Sequence, residues 1–150
     1  MQIKEISPIQ TLVFTTQTTL NTMVLYVGNV AEDLFKEAQN LNLDITGPIF
    51  WIYTGADGKP DTEFKLEIAL PVKTEGKKSE KFSYKLLEPF KCVSKIHNGA
   101  WDKMNETYCN LFPEFYRNGH QFSGICRELY LTMDFETPEK NVTEIQVGMV

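Results

Sequence analysis

The sequence has few of the residues that build metal sites and disulfide frameworks. Its three cysteines, Cys92, Cys109 and Cys126, are odd in number and form no CxxC spacing, and it has only two histidines, His97 and His120. These spacings exclude the common zinc modules and do not suggest a disulfide framework. We therefore predict no metal and no other cofactor.

Long apolar runs and strongly basic stretches are also missing. No stretch approaches the roughly 18 continuous apolar residues of a membrane-spanning helix, and MQIKEISPIQ at the N-terminus lacks the apolar centre of a secretory signal. The net charge is −5, and glutamates interrupt the densest basic stretch, EGKKSEK at 75–81. We expect a cytoplasmic protein without a nucleic-acid or membrane partner.

Three pairs of similar segments indicate an internal duplication. The pairs are PIQTLVFTT (8–16) with PFKCVSKIH (89–97), GPIFWIY (47–53) with GICRELY (124–130), and LEIALPV (66–72) with TEIQVGM (143–149). The last two pairs share an offset of 77 residues. The length of 150 residues suits one domain. We divide it into half one at about 1–73, a linker at about 74–81 and half two at about 82–150.

Each half reads as strand, helix, strand, strand. Residues 30–43 and 101–119 have apolar side chains at steps of three and four, which predicts one amphipathic helix per half. Pro113 conflicts with the second helix and should kink it or start another short one. The predicted fold class is α+β, with antiparallel sheets, helices on one face and a central ligand cleft on a pseudo-two-fold axis between the halves.

Alternation along the duplicated strand decides which side chains share a face. We expect Phe50 and Ile52, with Leu129 and Leu131, to lie under the helices. The side chains left for the cleft are Trp51, Tyr53, Glu128 and Tyr130.

A carboxylate among large aromatic rings suits a lipophilic cation, because the rings provide apolar area and negative faces. Burial should raise the pKa of Glu128. The alternatives are a rim glutamate paired with Arg127 or a lysine, and aromatic rings that only fill the core.

The chain resembles the GyrI-like small-molecule-binding domain, which is also the effector-binding domain of AraC- and MerR-type bacterial multidrug transcription regulators. The resemblance rests on the duplicated layout, on HNGAW (97–101), on GICRELY and on TEIQVGM. It implies that Glu128 lies in an aromatic-lined cleft and takes part in ligand binding, with Tyr130 beside it. The regulators' DNA-binding helix-turn-helix has no place before the first strand or after the last, so a stand-alone form is expected.

Three further residues are candidates for ligand binding. Trp101 opens the second helix and is either a wall of the cleft or a core residue. His97 ends the preceding strand and is either a ligand-binding group or a structural hydrogen-bonder. Glu67 is expected on an exposed strand face, from which it could reach the cleft more readily than Glu144. The tyrosines expected in the core are Tyr26 and Tyr108.

Three functions remain open. The first is a binding module for lipophilic, cationic or aromatic small molecules, with Glu128 as the charge partner. The second is a hydrolase of electrophilic small molecules, in which Glu128 acts as acid or base with Tyr130 nearby, and Glu67 or His97 as a second group. No GxSxG, HExxH or phosphate-loop motif supports a standard enzyme class. The third is a protein-binding inhibitor of the gyrase-directed type.

Overall fold

The computed structural model describes residues 1–27 and 29–150, without the side chains of Tyr26 and Val27. The strands are β1 (Gln2–Ile6), β2 (Ile9–Thr18), β3 (Phe50–Thr54), β4 (Phe64–Pro71), β5 (Ser83–Leu87), β6 (Phe90–Asn98), β7 (Phe122–Thr132) and β8 (Val142–Met149). The helices are α1 (Met23–Val27), α2 (Val30–Asn40) and α3 (Met104–Arg117), with 3₁₀ turns at Trp101–Lys103 and Pro138–Lys140. None of the described helices is long and apolar enough to cross a membrane.

All eight strands form one antiparallel sheet in the order β1-β6-β8-β7-β3-β4-β2-β5. The predicted α+β class with antiparallel strands is confirmed. The sheets that we predicted for the two halves are one continuous sheet. Strands β3 and β7, which contain GPIFWIY and GICRELY, pair edge to edge, so backbone hydrogen bonds join the two halves of the sheet.

Two strands that the sequence patterns did not predict complete the sheet at its ends. β1 pairs with β6 of the second half, and β5 pairs with β2 of the first half. Each half therefore gives its first strand to the other half. The strand order is symmetric with respect to the two halves. If β1 to β4 are relabelled as β5 to β8 and the reverse, the same order is obtained when the sheet is read from its other edge. Superposition of the two halves about a two-fold axis stays a prediction.

The helices follow their apolar stripes. Leu34 and Ala38 of α2 are buried, as are Leu111 and Phe115 of α3. α2 ends at Asn40, three residues before the predicted end at 43. The N–H of Leu41, the next residue, still donates to the carbonyl of Glu37.

Pro113 neither ends α3 nor starts another helix. The helix continues through it to Arg117, and Asn118 and Gly119 end it, with Gly119 at φ 82°. Pro113 and Cys109, whose carbonyl loses its helical donor, are both exposed. Water can therefore solvate the free carbonyl, and the cost of the proline remains tolerable.

The helices cover the other face of the sheet from the one that we predicted. α2 packs on β2 and β4, and α3 packs on β6, so β3 and β7 lie between the two helices. The side chains that share this helix-side face include Leu66, Ile68, Trp51, Tyr53 and Tyr130. Phe50, Ile52 and Leu129 pack on the opposite face, with Val13, Ala69 and Leu87, and Leu131 is 46% exposed. Both faces are rich in large apolar residues, so alternation alone could not decide which face the helices cover.

Candidate functional site

The register of the central strands brings together two positions that match in the sequence comparison of the two halves. Trp51 and Glu128 occupy the same place in GPIFWIY and GICRELY, and they pair directly across β3 and β7. Tyr53 pairs with Cys126 on the same face, two residues along each strand from Trp51 and Glu128. The indole and the carboxylate are therefore neighbours at the centre of the helix-side face.

The Glu128 carboxyl group is buried, with only 6% of the residue exposed. Burial raises its pKa from 4.5 to about 7, although interactions with the hydroxyls of Tyr53 and Tyr108 act in the opposite direction. Its Oε2 atom is buried without a hydrogen-bond partner among the described residues. None of the ion pairs in the described chain includes Glu128, and Arg127 points to the opposite face. The arrangement does not match a rim glutamate paired with Arg127.

Three tyrosines surround this carboxyl group. Burial raises the pKa of Tyr53, Tyr108 and Tyr130 well above 10, and the nearby charge of Glu128 raises each of them further. All three phenols therefore remain protonated at neutral pH and can donate hydrogen bonds. Tyr53 and Tyr130 also interact with each other through their side chains. Among the described residues, the site provides hydroxyl donors and aromatic rings, but no positive charge that would neutralise Glu128.

An aromatic cluster of Trp51, Tyr130, Trp101 and Phe135 leads from the carboxyl group to the surface. The ring centroids of Trp51 and Tyr130, of Tyr130 and Trp101, and of Trp101 and Phe135 are each 5.7 Å apart, in edge-to-face contacts. Phe135 is 78% exposed. A continuous path of rings therefore connects solvent to the buried centre of the sheet.

Two further polar groups beside Tyr130 have unused hydrogen-bonding capacity. Nε1 of Trp101 and Oγ1 of Thr143 are buried without a partner among the described residues. Thr143 pairs with Tyr130 across β8 and β7, and Trp101 contacts the Tyr130 ring. Buried polar groups in native proteins usually have partners, so these two unpaired atoms are exceptions.

Two candidates from the sequence lie elsewhere. Glu67 is buried on the opposite face, where Lys85 donates to its Oε2 at 2.6 Å and Lys65 lies 3.6 Å from Oε1. The expectation that it lies exposed or reaches the cleft is wrong, because β4 alternates it away from the site. Glu144 is also buried on that face, and it accepts a hydrogen bond from Lys4 at 3.1 Å.

His97 is a buried structural residue. Its Nε2 donates to the carbonyl of Ala100 at 2.9 Å, and its Nδ1 lies 2.7 Å from the hydroxyl of Thr107 on α3. Both ring nitrogens are thus used to hold the start of α3 against β6. The ligand-binding alternative for His97 does not agree with this geometry.

Tyr108 is the functional candidate that the sequence reasoning missed. We expected it in the core, but it reaches Glu128 from α3. The sequence placed Tyr108 on the apolar stripe of the second helix. Because the helices were assigned to the wrong face of the sheet, Tyr108 was not placed near Glu128. The matching expectation for Tyr26 falls outside the described side chains.

The rings around Glu128 are half-buried: Trp51, Tyr53, Trp101, Tyr108 and Tyr130. Two cavities, of about 730 and 190 Å³, lie at the opposite face and are bordered by Phe50 and Leu129. Within the described chain, no group of three or more His, Cys, Asp or Glu side chains could hold a metal ion. Burial raises the pKa of the Cys126 thiol to about 12, so this cysteine beside Glu128 is not a thiolate nucleophile at neutral pH.

Solved structures share this fold. The C-terminal domain of EcmrR superposes with a TM-score of 0.82 at 20% identity, over 99% of this chain and 96% of that chain. In the EcmrR–DNA complex, this chain spans 56% of the EcmrR chain. SAV2435 bound to tetraphenylphosphonium superposes with a TM-score of 0.67 at 16% identity, over 99% of this chain and 93% of that one. A hydrolase from Listeria innocua gives 0.63 at 12% identity, over 99% and 92%.

The sequence itself assigns the family. No curated protein matches it. The family model of the GyrI-like small molecule binding domain matches residues 1–149, nearly the whole length. The chain therefore belongs to the GyrI-like small-molecule-binding domain family.

Proposed function

We propose that the ligands of this domain are lipophilic, aromatic cations and that they bind over Glu128, between α2 and α3. The observation that supports this most strongly is the buried Glu128 carboxyl group, which has an unpartnered oxygen and three tyrosines around it. A buried carboxylate without a counter-charge is costly, and a cationic ligand removes that cost.

The surrounding rings favour a delocalised aromatic cation over a small hydrated one. Trp51, Tyr130 and Trp101 offer ring faces and edges, and a cation near such faces gains electrostatic attraction as well as apolar contact. The exposed Phe135 is the outermost ring of the aromatic cluster and is the first that a ligand would meet. A similar fold, SAV2435, has been solved with tetraphenylphosphonium bound.

The test compares two probes of the same shape and opposite charge. Tetraphenylphosphonium and tetraphenylborate are titrated calorimetrically at about pH 8, where Glu128 is ionised because its pKa is about 7. We expect the phosphonium to bind and the borate to bind far more weakly. Glu128→Gln keeps the shape of the side chain and removes its charge, so it should weaken phosphonium binding by roughly 10- to 150-fold.

A matched control is Glu67→Gln, which removes another buried carboxylate on the opposite face. It should leave phosphonium affinity unchanged. Equal affinities for the two probes, or a phosphonium affinity that Glu128→Gln does not alter, would reject the proposal.

The hydrolase alternative has one observation in its favour. A carboxyl group with a pKa of about 7 is suited to general acid or base catalysis near neutral pH. The second groups that we considered for it, Glu67 and His97, are both engaged away from Glu128. To distinguish the two functions, each compound that binds is incubated with the protein and analysed by mass spectrometry. A hydrolase forms a hydrolysis product in the wild type and none in Glu128→Gln, whereas a binding protein leaves the compound unchanged.

A further inference from the structure

The opposite face of the sheet contains a buried cation that the ligand site does not use. Arg127 is the neighbour of Glu128 on β7, and alternation directs it to the other face, where it pairs across the strands with Ile52 and Gln146. Only 5% of Arg127 is exposed. In the first repeat the same position is Phe50. The second copy of the strand thus differs from the first by one charge on each face.

The Arg127 guanidinium lies over aromatic rings and forms no ion pair with an acidic side chain in the part of the chain that the structure describes. Its central carbon lies 4.0 Å from the Phe90 ring centroid and 5.7 Å from that of Phe50. None of the ion pairs in residues 1–27 and 29–150 includes Arg127, and its Nε is buried without a hydrogen-bond acceptor there. Burial lowers its pKa to about 10, with smaller opposing effects from Cys92 and Glu67, so it remains charged at neutral pH. Stacking occupies the flat faces of a guanidinium and leaves its N–H donors at the edge in need of acceptors.

The nearby carboxylates are engaged by other groups. Glu67 is held by Lys85 and Lys65. Burial alone would raise the pKa of Glu144, but hydrogen bonds from Gln146, Lys4 and Ser94 lower it. The strands of this face thus carry more cationic side chains than carboxylates, and the excess positive charge favours an anion. The cations are Lys4, Lys65, Lys85 and Arg127, and the carboxylates are Glu67 and Glu144.

Arg127 borders a cavity with an apolar wall. The cavity has a volume of about 190 Å³, and its lining includes Ile6, Ile9, Phe50 and Leu129 beside Arg127, Lys4, Glu144 and Gln146. A wider cavity of about 730 Å³ also borders Ile9, Phe50 and Leu129. A molecule with its charged end at Arg127 can therefore extend an apolar body along these three side chains.

We propose that this is a second ligand site, which binds a monocarboxylate with an apolar body through the Arg127 guanidinium. The planar fork of a guanidinium matches the two oxygens of a carboxylate. Glu144 borders the same cavity, so a dianion such as phosphate meets more repulsion there than a monoanion does. The apolar wall distinguishes aromatic and aliphatic acids from chloride or formate. The site shares no side chain with the one proposed around Glu128.

Benzoate is the probe, with neutral benzyl alcohol and inorganic phosphate as comparisons, each titrated calorimetrically into the full chain. We expect benzoate to bind most tightly of the three. Arg127→Met keeps the length and apolar stem of the side chain and removes its charge, so it should weaken benzoate binding by roughly 10- to 150-fold. Arg117→Met removes an exposed arginine from α3 and should leave benzoate affinity unchanged.

A second measurement does not depend on the variant. In the NMR spectrum of the unmodified protein, the Nε–H signal of Arg127 should shift with benzoate and remain in place with benzyl alcohol. An unmoved signal, equal benzoate affinity in the wild type and Arg127→Met, or tighter binding of phosphate would overturn the proposal. Glu128→Gln should bind benzoate with the affinity of the wild type. The benzoate and phosphonium titrations therefore test the two proposed sites independently.

Discussion

At the scale of the residue, the buried carboxyl group of Glu128 destabilises the fold in its ionised form. Raising a carboxyl pKa from 4.5 to about 7 corresponds to about 3 kcal/mol between its ionised and neutral forms. The groups that face it are Tyr53, Tyr108, Tyr130 and Cys126, and burial raises the pKa of each, so each remains uncharged at neutral pH. None of these four groups can neutralise the carboxylate.

The free energy of unfolding should therefore depend on pH through Glu128. Below about pH 4.5 the carboxyl group is protonated in both states. Between about pH 4.5 and pH 7 the unfolded chain loses this proton while the folded chain keeps it, so stability falls as pH rises, by about 3 kcal/mol in total. Above about pH 7 both states are ionised and this contribution stays constant.

Urea unfolding of the wild type and Glu128→Gln across this range measures the effect. We expect the variant to gain stability relative to the wild type as pH rises from about 4.5 to 7 and to stay more stable above it. The difference between the two proteins removes the contributions of all other titrating groups. A difference that stays constant with pH would show that the pKa of Glu128 is not raised.

At the scale of the element, the pairing of β7 with β8 depends on a close approach to Gly148. The ladder shifts its register between Phe122 and Cys126, and Gly124 within the shift has φ 89°. A Cβ atom at Gly148 would lie 2.7 Å from the carbonyl oxygen of Ile125 and 2.8 Å from Cε1 of Phe90, and it would also overlap the Ser123 hydroxyl. Only glycine lets the two strands approach this closely.

Gly148→Ala should therefore destabilise the protein by about 2 kcal/mol or more, because the backbone of β7 would have to move. Gly47→Ala is the matched control. A Cβ there meets Pro71 at an ordinary 3.5 Å, so its effect should be small. Thermal unfolding of the two variants measures both, and equal melting temperatures would contradict the close packing at β7.

At the scale of the whole molecule, the two halves depend on each other for their strand partners. β3 pairs with β7 at the centre, β1 pairs with β6, and β5 pairs with β2. Our division at the linker of about 74–81 remains a hypothesis about sequence duplication. The pairings mean that neither half has a complete sheet of its own.

Separate fragments 1–75 and 76–150 should thus be unfolded as monomers and should form a 1:1 complex when mixed. A homodimer of the second fragment should be weaker than this complex, because the repeat would place Glu128 against a second Glu128 instead of Trp51. Circular dichroism and native mass spectrometry test this expectation. A fragment that unfolds cooperatively as a monomer would contradict it.

The sequence by itself determined the features that depend on local geometry. Alternation placed Trp51, Tyr53, Glu128 and Tyr130 on one face, because successive side chains of a strand point to opposite sides. The apolar stripes predicted the helices α2 and α3. The similarity of the paired segments indicated which positions of the two halves correspond. These inferences need no knowledge of what packs against each element.

Only the tertiary structure decided which face the helices cover and which strands pair. Phe50 and Ile52 are as apolar as Trp51 and Tyr53, so burial of either face gains a similar free energy and the pattern cannot choose between them. The pairing of β3 with β7, and of β1 and β5 with the opposite half, joins residues far apart in the chain. Those contacts brought Tyr108 to Glu128, removed Glu67 and His97 from the site, and left Arg127 buried without an acidic partner, because each outcome depends on neighbours that no local pattern specifies.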